Sequence, residues 1–342
     1  MQRQLLGGLT PRAFLARYWQ KRPLFVRCAI AAPDFVDQRA LTALARRDDV
    51  ESRIVQRRGA RRETAHGPFG KVSPGRSNWT ILVNGVNHHV PAADALLRRF
   101  AFVPQARLDD VMVSYATPGG GVGPHVDRYD VFLLQGPGVR RWRVENKQYL
   151  AHPGDLLYLP PGVRHDGVAL GHCFTYSIGF RAPRGAELGA AFLDWLHERG
   201  LPDADYRDAA LRPARCAGQV PDEMISFAEG LLGRIRWTRR DVEHFMGEYL
   251  SEPKAHVVFQ PGTGRRALAG AMVKLDPKTR LFYRGRRFFV NGESFEASVR
   301  NTALLRELAD RRTADGARLA RTTLAGLILR WHRLGYLALE KR

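Results

Sequence analysis

The feature that most constrains this chain is a series of short apolar segments, each bounded by glycine or proline. Runs of three to five residues rich in β-branched and aromatic side chains are typical of strands, and turns at this spacing are typical of a sandwich or barrel. The predicted strands span residues 111–115, 131–134, 142–144, 155–159 and 174–178. The turns between them lie at residues 118–121, 136–138 and 160–162. The first part of the sequence therefore predicts a mainly β domain.

Charge and cysteine content narrow the class of protein. The chain has 342 residues, with 54 lysines and arginines against 34 acidic residues and a formal net charge of +20. That sign favours anionic partners such as nucleic acid or a ribonucleoprotein, although a solvated arginine-rich surface gives the same composition. Three widely spaced cysteines exclude a disulfide framework and a CxxC zinc site. With no apolar run of roughly 18 residues and no signal peptide, we expect a cytoplasmic protein without membrane contact.

Three regions follow one another along the sequence. We assign residues 1–182 to the β domain with its N-terminal elements, residues 183–266 to a helical region, and residues 267–342 to a C-terminal domain. The helical region carries Leu188 and Trp195 at helical spacing. Large apolar faces on short helices need a partner surface, which is either the rest of the chain or a second copy of it.

The C-terminal region combines a hairpin with helices. Asn291-Gly292 is the signal of a tight β-hairpin turn. Amphipathic helices are predicted at residues 302–311 and 321–334, and Gly335 suits the end of the second. This pattern is typical of a winged helix. A small α+β appendage that does not touch nucleic acid is the alternative interpretation.

Two histidines and an aspartate carry the metal chemistry that the sequence predicts. His125 and Asp127 follow a glycine-rich stretch, and residues two apart on a strand project to the same face. His165 opens a strand after the turn at residues 160–162, where a double-stranded barrel would bring it back beside the first pair. Two histidines and one carboxylate on one face form the facial triad that holds non-haem Fe(II) with open positions.

An arginine is the candidate anchor of an anionic cosubstrate. Arg140 begins the predicted strand that contains Trp142. A charge inside an apolar barrel needs a counter-ion, and a guanidinium pairs bidentately with a carboxylate such as the distal one of 2-oxoglutarate. Only one of Arg140 and Arg141 should face inward, and the strand register favours Arg140. A surface position for this arginine is the alternative.

These segments resemble a known family. The text Gly-Gly-Gly-Val-Gly-Pro-His-Val-Asp-Arg-Tyr-Asp, followed by Arg-Arg-Trp-Arg-Val, Pro-Pro-Gly-Val-Arg-His-Asp-Gly and Tyr-Ser-Ile-Gly-Phe, closely resembles the JmjC-type 2-oxoglutarate oxygenases, and within them the bacterial ribosomal oxygenases. The order of barrel, helical region and winged helix is similar too. The resemblance implies a double-stranded β-helix (a jelly roll of cupin and JmjC type), a helical dimerisation region and a C-terminal winged helix.

The same resemblance implies an activity and its residues. The family's closest bacterial members hydroxylate an arginine of a large-subunit ribosomal protein with Fe(II), 2-oxoglutarate and O2. Carried over to this chain, the metal ligands are the triad, and a homodimer is expected; the net charge leaves contact with ribosomal RNA open as well. Polar groups near the cosubstrate are Ser114 and Thr175, and the nearest candidates to line a substrate arginine are Tyr129 and Asp130. An intrachain ion pair is the alternative role for Asp130.

Two further functions stay open at this point. A metal-binding cupin whose winged helix regulates transcription would use the same charge and C-terminal pattern, but it leaves Arg140 without a role. An oxygenase that acts on another residue or on RNA would carry the same motifs. The neighbouring His88 and His89 are not expected to form a second metal site, because adjacent strand residues face opposite ways.

Overall fold

Strands build the first part of the structure, a computed structural model that describes residues 2–31, 33–59, 61–213, 215–263 and 267–341. The strands are β1 (Leu24–Val26), β2 (Ser52–Arg58), β3 (Arg61–His66), β4 (Trp79–Val83), β5 (Leu108–Ala116), β6 (His125–Val126), β7 (Val131–Gln135), β8 (Arg140–Val144), β9 (Lys147–Ala151), β10 (Leu156–Leu159), β11 (Arg164–Ala169) and β12 (Cys173–Phe180). The helices are α1 (Gln2–Leu5), α2 (Pro11–Arg17), α3 (Gln38–Leu44) and α4 (Pro91–Arg98).

These strands form two antiparallel sheets. The larger has the order β1-β10-β7-β12-β5-β4-β2-β3, and the smaller has the order β6-β11-β8-β9. Side chains from β7 and β10 of the larger sheet pack with side chains from β8 and β9 of the smaller one. The two sheets therefore enclose an interior, and the predicted double-stranded β-helix is confirmed.

Strand β7 shows why its sequence reads as one unbroken apolar run. Val131 and Leu133 face the barrel interior, where they pack with Trp142. The alternate residue Phe132 faces the opposite side and packs with Phe14 of α2, its ring centroid 5.5 Å away. A strand that is covered on both faces needs apolar residues at every position. The N-terminal helices thus form the outer cover that leaves the barrel interior free for a site.

Helices follow the barrel, as the spacing of apolar residues predicts. They are α5 (Gly185–Glu198), α6 (Asp222–Leu232) and α7 (Arg239–Ser251). Trp195 of α5 packs with Phe245 of α7 in a small apolar cluster. The predicted boundary at residue 266 lies outside the described residues.

The C-terminal region forms a compact α+β module with its own core. Its strands are β13 (Ala271–Leu275), β14 (Leu281–Arg284), β15 (Arg287–Val290), β16 (Glu293–Glu296), β17 (Thr313–Asp315) and β18 (Leu337–Lys341). Its helices are α8 (Val299–Arg311), α9 (Gly316–Ala320) and α10 (Ala325–Arg333). The turn Asn291-Gly292 joins β15 to β16, and both residues have positive φ, at 50° and 92°. The hairpin prediction is confirmed, and α10 is shorter than the helix predicted for residues 321–334.

Candidate active site

The structure brings the three predicted metal ligands together. His125 of β6 is paired with His165 of β11, and their ring centroids lie 4.2 Å apart. Oδ2 of Asp127 lies 3.9 Å from Nε2 of His125 and 3.6 Å from Nε2 of His165. One ligand atom from each residue lies within 4.8 Å of the others. Two imidazoles and one carboxylate thus converge on one point at the wall of the cavity.

Backbone carbonyls orient both imidazoles. Nδ1 of His125 donates to the carbonyl oxygen of Gly123 at 2.8 Å, and Nδ1 of His165 donates to that of Val163 at 3.0 Å. A carbonyl only accepts, so Nδ1 of each ring carries a proton and Nε2 faces the cavity, where it is a lone-pair donor in the neutral ring. Burial lowers the pKa of His165 and keeps its ring neutral at neutral pH. These are the orientation and protonation state that a metal ion requires.

Glycines allow the loop before His125 to approach the neighbouring strand. A Cβ on Gly121 would lie 2.2 Å from the carbonyl oxygen of Gly167 in β11. Gly123 has a φ of 80°, in the left-handed region that glycine adopts without strain. The glycine-rich stretch therefore allows the loop that carries His125 and Asp127 to pack closely against β11, which carries His165.

The register of β8 decides between the two candidate arginines. Along this strand Arg140, Trp142 and Val144 are buried, whereas Arg141 and Arg143 are exposed. Arg140 is 4% exposed, and its Nε and Nη2 atoms have no hydrogen-bond partner in the described part of the chain. An unpaired guanidinium in such a position is costly unless an anion joins it. Arg140 is therefore the inward arginine, and its two orphaned donors fit a carboxylate ligand.

One cavity of about 810 Å³ joins these groups. Ser114 and Thr175 face each other across the pairing of β5 with β12, and both are buried. Residues lining the cavity include Ser114, His125, Asp127, Tyr129, Arg140, Trp142, His165 and Thr175. Seven of the eight predicted site residues thus surround the same space.

Asp130 is the exception, because the structure places it outside the cavity. Its side chain is fully buried behind the barrel wall. The hydroxyl of Tyr158 donates to its Oδ1 at 2.6 Å, while Nε2 of Gln20 and a guanidinium nitrogen of Arg107 lie 3.0 and 3.4 Å from its Oδ2. The prediction that Asp130 lines a substrate subsite is wrong, because these buried contacts hold its carboxylate away from the cavity. The alternative of an intrachain ion pair is the correct one.

Replacing Asp130 by alanine is expected to destabilise the fold. The change leaves Arg107 and the Tyr158 hydroxyl without their buried partner, which costs about 3 kcal/mol of the free energy of unfolding. Chemical denaturation followed by tryptophan fluorescence measures the loss. The matched variant Tyr158→Phe removes one of these hydrogen bonds and should cost about 1 kcal/mol. A stable Asp130→Ala protein with impaired substrate binding would restore the substrate role.

Two carboxylates and a lysine in the cavity were missed by the sequence analysis. Asp109 and Asp110 of β5 and Lys254, which follows α7, all line the same space. Burial raises the pKa of Asp110 to about 6. Adjacent aspartates at the start of a strand are common in surface turns, so their spacing alone gives no signal. Lys254 lies more than a hundred residues away along the chain and only the fold brings it here.

The remaining histidines stay separate from the triad. His88 and His89 have ring centroids 6.3 Å apart, and within the described ranges no third ligand joins them to form a metal site. Burial lowers the pKa of His88 to about 3 and that of His89 to about 4. In the same ranges, no helix is both long and apolar enough to cross a bilayer.

The fold and the site together define a class. The structure is a cupin-type barrel that holds a facial triad, and its cavity also contains a buried arginine without a counter-ion. This is the architecture of a metal-dependent oxygenase. In agreement, the JmjC domain family matches residues 95–152 and 147–188, and the ROXA-like winged helix family matches residues 234–338.

Comparison with individual proteins gives the family. The ribosomal protein uL16 3-hydroxylase of Escherichia coli is 39% identical over 279 residues, which cover 72% of this chain and 73% of the relative. A probable ribosomal oxygenase of Haemophilus influenzae is 32% identical over 66% of this chain and 63% of its own length. The solved structure of YcfD, a ribosomal oxygenase from Escherichia coli in complex with cobalt and 2-oxoglutarate, superposes with a TM-score of 0.83 at 32% identity, covering 97% of this chain and 98% of that one.

The chain belongs to the JmjC-type ribosomal oxygenases, and it is a 2-oxoglutarate-dependent dioxygenase. The predicted family, fold class and enzyme class are therefore confirmed. The alternative of a transcriptional regulator is not needed, because membership of this enzyme family accounts for the triad, the buried arginine and the winged helix together.

Proposed function

We propose that this enzyme hydroxylates an arginine side chain of the large-subunit ribosomal protein uL16, using Fe(II), 2-oxoglutarate and O2. The observation that carries the proposal is the single cavity in which the metal-ligand triad and Arg140 share space with Asp109 and Asp110. A guanidinium that enters a buried space needs a carboxylate partner, and these two aspartates supply one. The Escherichia coli relative named as a uL16 3-hydroxylase supports the choice of protein.

The donor set fits a ferrous ion. His125 and His165 would each bind through Nε2, and Asp127 would bind through a carboxylate oxygen. Two nitrogens and one oxygen on one face suit non-haem Fe(II) and leave positions open for other ligands. The hydrogen bonds from Nδ1 of each ring to Gly123 and Val163 fix the orientation of both imidazoles before any ion arrives.

The orphaned donors of Arg140 fit 2-oxoglutarate. Its buried Nε and Nη2 atoms would donate to the distal carboxylate, and the hydroxyls of Ser114 and Thr175 line the space between this arginine and the triad. The ring of Trp142, whose centroid lies 5.6 Å from the guanidinium carbon, holds the arginine in place. When bound, Fe(II) would activate O2, and 2-oxoglutarate would supply two of the four electrons that O2 takes up while one of its oxygen atoms hydroxylates an unactivated carbon.

The opposite end of the cavity would hold the substrate side chain. Asp110 would pair with its guanidinium, and Tyr129, which lines the cavity and is partly exposed, would cover it from the solvent side. Holding the side chain at both ends decides which carbon lies beside the metal. The apolar wall formed by Val131 and Leu133 excludes water from the same space.

An oxygenase that modifies RNA, or another protein side chain, is the competing function. Arg53 and Arg62 line the cavity too, and they favour an RNA phosphate near its entrance. The carboxylates of Asp109 and Asp110 oppose this reading, because they would repel a phosphate and attract a cation.

Mass spectrometry of ribosomal proteins tests the proposal. Peptides of uL16 from cells that contain the enzyme should carry the mass of one additional oxygen atom on an arginine, and peptides from cells that lack it should not. Complementation with an Asp127→Ala variant serves as the inactive control. If uL16 is unmodified in both strains, or if the added oxygen lies on another protein or on ribosomal RNA, the assignment of the substrate is wrong.

Partners and location follow from the proposed substrate. We place the enzyme in the cytoplasm, where uL16 is made and assembled, and its net charge of +20 suits contact with ribosomal RNA. Homodimerisation through α5 and α6 stays a prediction. Its support is that Leu193, Ile225 and Leu232 on these helices are exposed in the single chain.

A further inference from the structure

A lysine from outside the barrel reaches into the catalytic cavity. Lys254 follows the end of α7 and falls inside the segment matched by the winged-helix family, whereas the triad falls inside the JmjC match. Its side chain nevertheless lines the cavity together with Asp109 and Asp110. The site is therefore shared between two parts of the chain.

Lys254 and Arg181 together pair with the carboxylate of Asp109. Nζ of Lys254 lies 3.0 Å from Oδ2 of Asp109, and Nε of Arg181 lies 3.4 Å from Oδ1 of the same group. Asp109 thus has a cation on each oxygen, so that two positive charges already balance its single negative charge. Nζ of Lys254 also lies 3.8 Å from Oδ2 of Asp110.

Arginine–carbonyl contacts fix the segment that carries the lysine. Nη1 of Arg181 and Nε of Arg280 both donate to the carbonyl oxygen of Leu250, at 3.2 and 3.0 Å. Nη2 of Arg280 donates to the carbonyl oxygen of Leu108, at the start of the strand that carries the two aspartates, at 3.3 Å. The backbone from which Lys254 extends is therefore held close to the start of β5.

Asp110 keeps one oxygen available. Its Oδ2 accepts a hydrogen bond from the backbone nitrogen of Gly85 at 2.9 Å. Its Oδ1 makes no hydrogen bond to the residues that the structure describes and faces Gly179, where a Cβ would lie 3.6 Å away. Both Asp110 and Gly179 line the cavity. A carboxylate oxygen so placed forms an ion pair with a cationic ligand only if the group is ionised.

We infer that Lys254 is a positioning residue, which holds Asp109 to one side and keeps Asp110 ionised so that its free oxygen receives the cationic side chain of the substrate. The inference rests on the proposed function in taking that side chain to be a guanidinium. The inference goes beyond the proposed function, because it makes recognition of a cation in the barrel depend on Lys254, a residue of the C-terminal part of the chain.

The electrostatic surroundings of Asp110 give this inference a measurable signature. Burial raises the pKa of Asp110 to about 6, the charges of Asp109 and Glu51 act in the same direction, and Lys254 and the Gly85 amide oppose them. The charged and titratable groups that surround it are Glu51, His88, Asp109, Tyr129, Arg181, Lys254, His256, Lys278 and Arg280. Loss of the ammonium must raise this pKa further, so Asp110 would become neutral at a higher pH.

Binding of a matched pair of peptides tests the inference. The full chain, loaded with Mn(II) and 2-oxoglutarate in the absence of oxygen, is titrated calorimetrically with a short uL16 peptide and with its citrulline counterpart between pH 5 and pH 9. Citrulline has the shape of arginine without the charge. The wild-type preference for arginine should fall to half near pH 6, where Asp110 takes up its proton.

In Lys254→Met and Lys254→Gln this midpoint should move upward by at least roughly one pH unit, and Lys254→Arg should restore it. The test compares the pH midpoints and not the size of the preference for arginine at high pH. The reason is that the Lys254 ammonium also repels the incoming guanidinium and so lowers that preference in the wild type. Asp110→Asn should abolish the preference at every pH. Lys274→Met, which changes an exposed lysine of β13 that pairs with Glu340, serves as the control and should keep the wild-type midpoint.

Superimposable midpoints in wild type, Lys254→Met and Lys254→Gln would overturn the inference, and so would a wild type that does not distinguish arginine from citrulline. These outcomes are separate from failure of the proposed function. An enzyme that binds arginine with the expected midpoints but leaves uL16 unmodified in cells has the inferred subsite and a different protein substrate.

Discussion

Replacing Asp127 by alanine should abolish hydroxylation and lower the affinity for a divalent metal ion by at least about 100-fold. Loss of a residue that merely orients a metal ligand already costs 10- to 100-fold, and this carboxylate is the one anionic ligand of the triad. Its Oδ2 lies within 4 Å of both histidines, so the two imidazoles alone would remain. Titration with Co(II), followed by its visible absorption, measures binding without turnover.

A second aspartate provides the matched control for this variant. Asp166 follows His165 on β11 and alternates to the other face of the strand, outside the cavity lining. Asp166→Ala should therefore bind Co(II) like the wild type. Unchanged Co(II) binding by Asp127→Ala would show that the three side chains do not form the metal site.

Replacing Arg140 by methionine should weaken 2-oxoglutarate binding by more than about 100-fold and leave Co(II) binding unchanged. Removing one partner of a buried ion pair costs about 3 kcal/mol or more, which corresponds to that factor. The orphaned Nε and Nη2 atoms have no other anion in the described structure to pair with. Calorimetric titration of the Co(II)-loaded protein with 2-oxoglutarate measures the effect.

Stability without the cosubstrate provides an independent readout. Methionine removes an unpaired buried charge, so Arg140→Met should unfold at a higher temperature than the wild type when 2-oxoglutarate is absent. Addition of 2-oxoglutarate should stabilise the wild type and leave the variant unchanged. The exposed neighbour gives the control, because Arg141→Met should behave like the wild type in both experiments. The opposite outcome, with Arg141 decisive and Arg140 neutral, would reverse the assignment.

Local patterns were sufficient to find most of the fold and the metal site. Short apolar segments bounded by glycine or proline located the barrel strands, along which side chains alternate with a period of two. The same period placed His125 and Asp127 on one face, and it favoured Arg140 over Arg141 before the structure showed which of them is buried. Resemblance of these segments to a known family then supplied the cosubstrate and the type of reaction.

Other features of the site were out of reach of the sequence. Asp130 stands beside Tyr129 in the chain, but it turns away from the cavity to meet Tyr158. Asp110 and Lys254 meet through the packing of the C-terminal segment on β5. Neither contact leaves a local pattern, because each joins residues that are far apart in the chain.

The sequence by itself determined the kind of chemistry, since ligand types and strand periodicity are local properties that a short stretch of residues contains. It determined the barrel and the triad in this way, and it favoured Arg140 as the inward arginine. Only the tertiary structure decided which carboxylates enter the cavity and which cation accompanies them. That choice depends on how whole elements pack, and the electrostatic energy of a buried charge depends on every group that packing brings within a few ångströms.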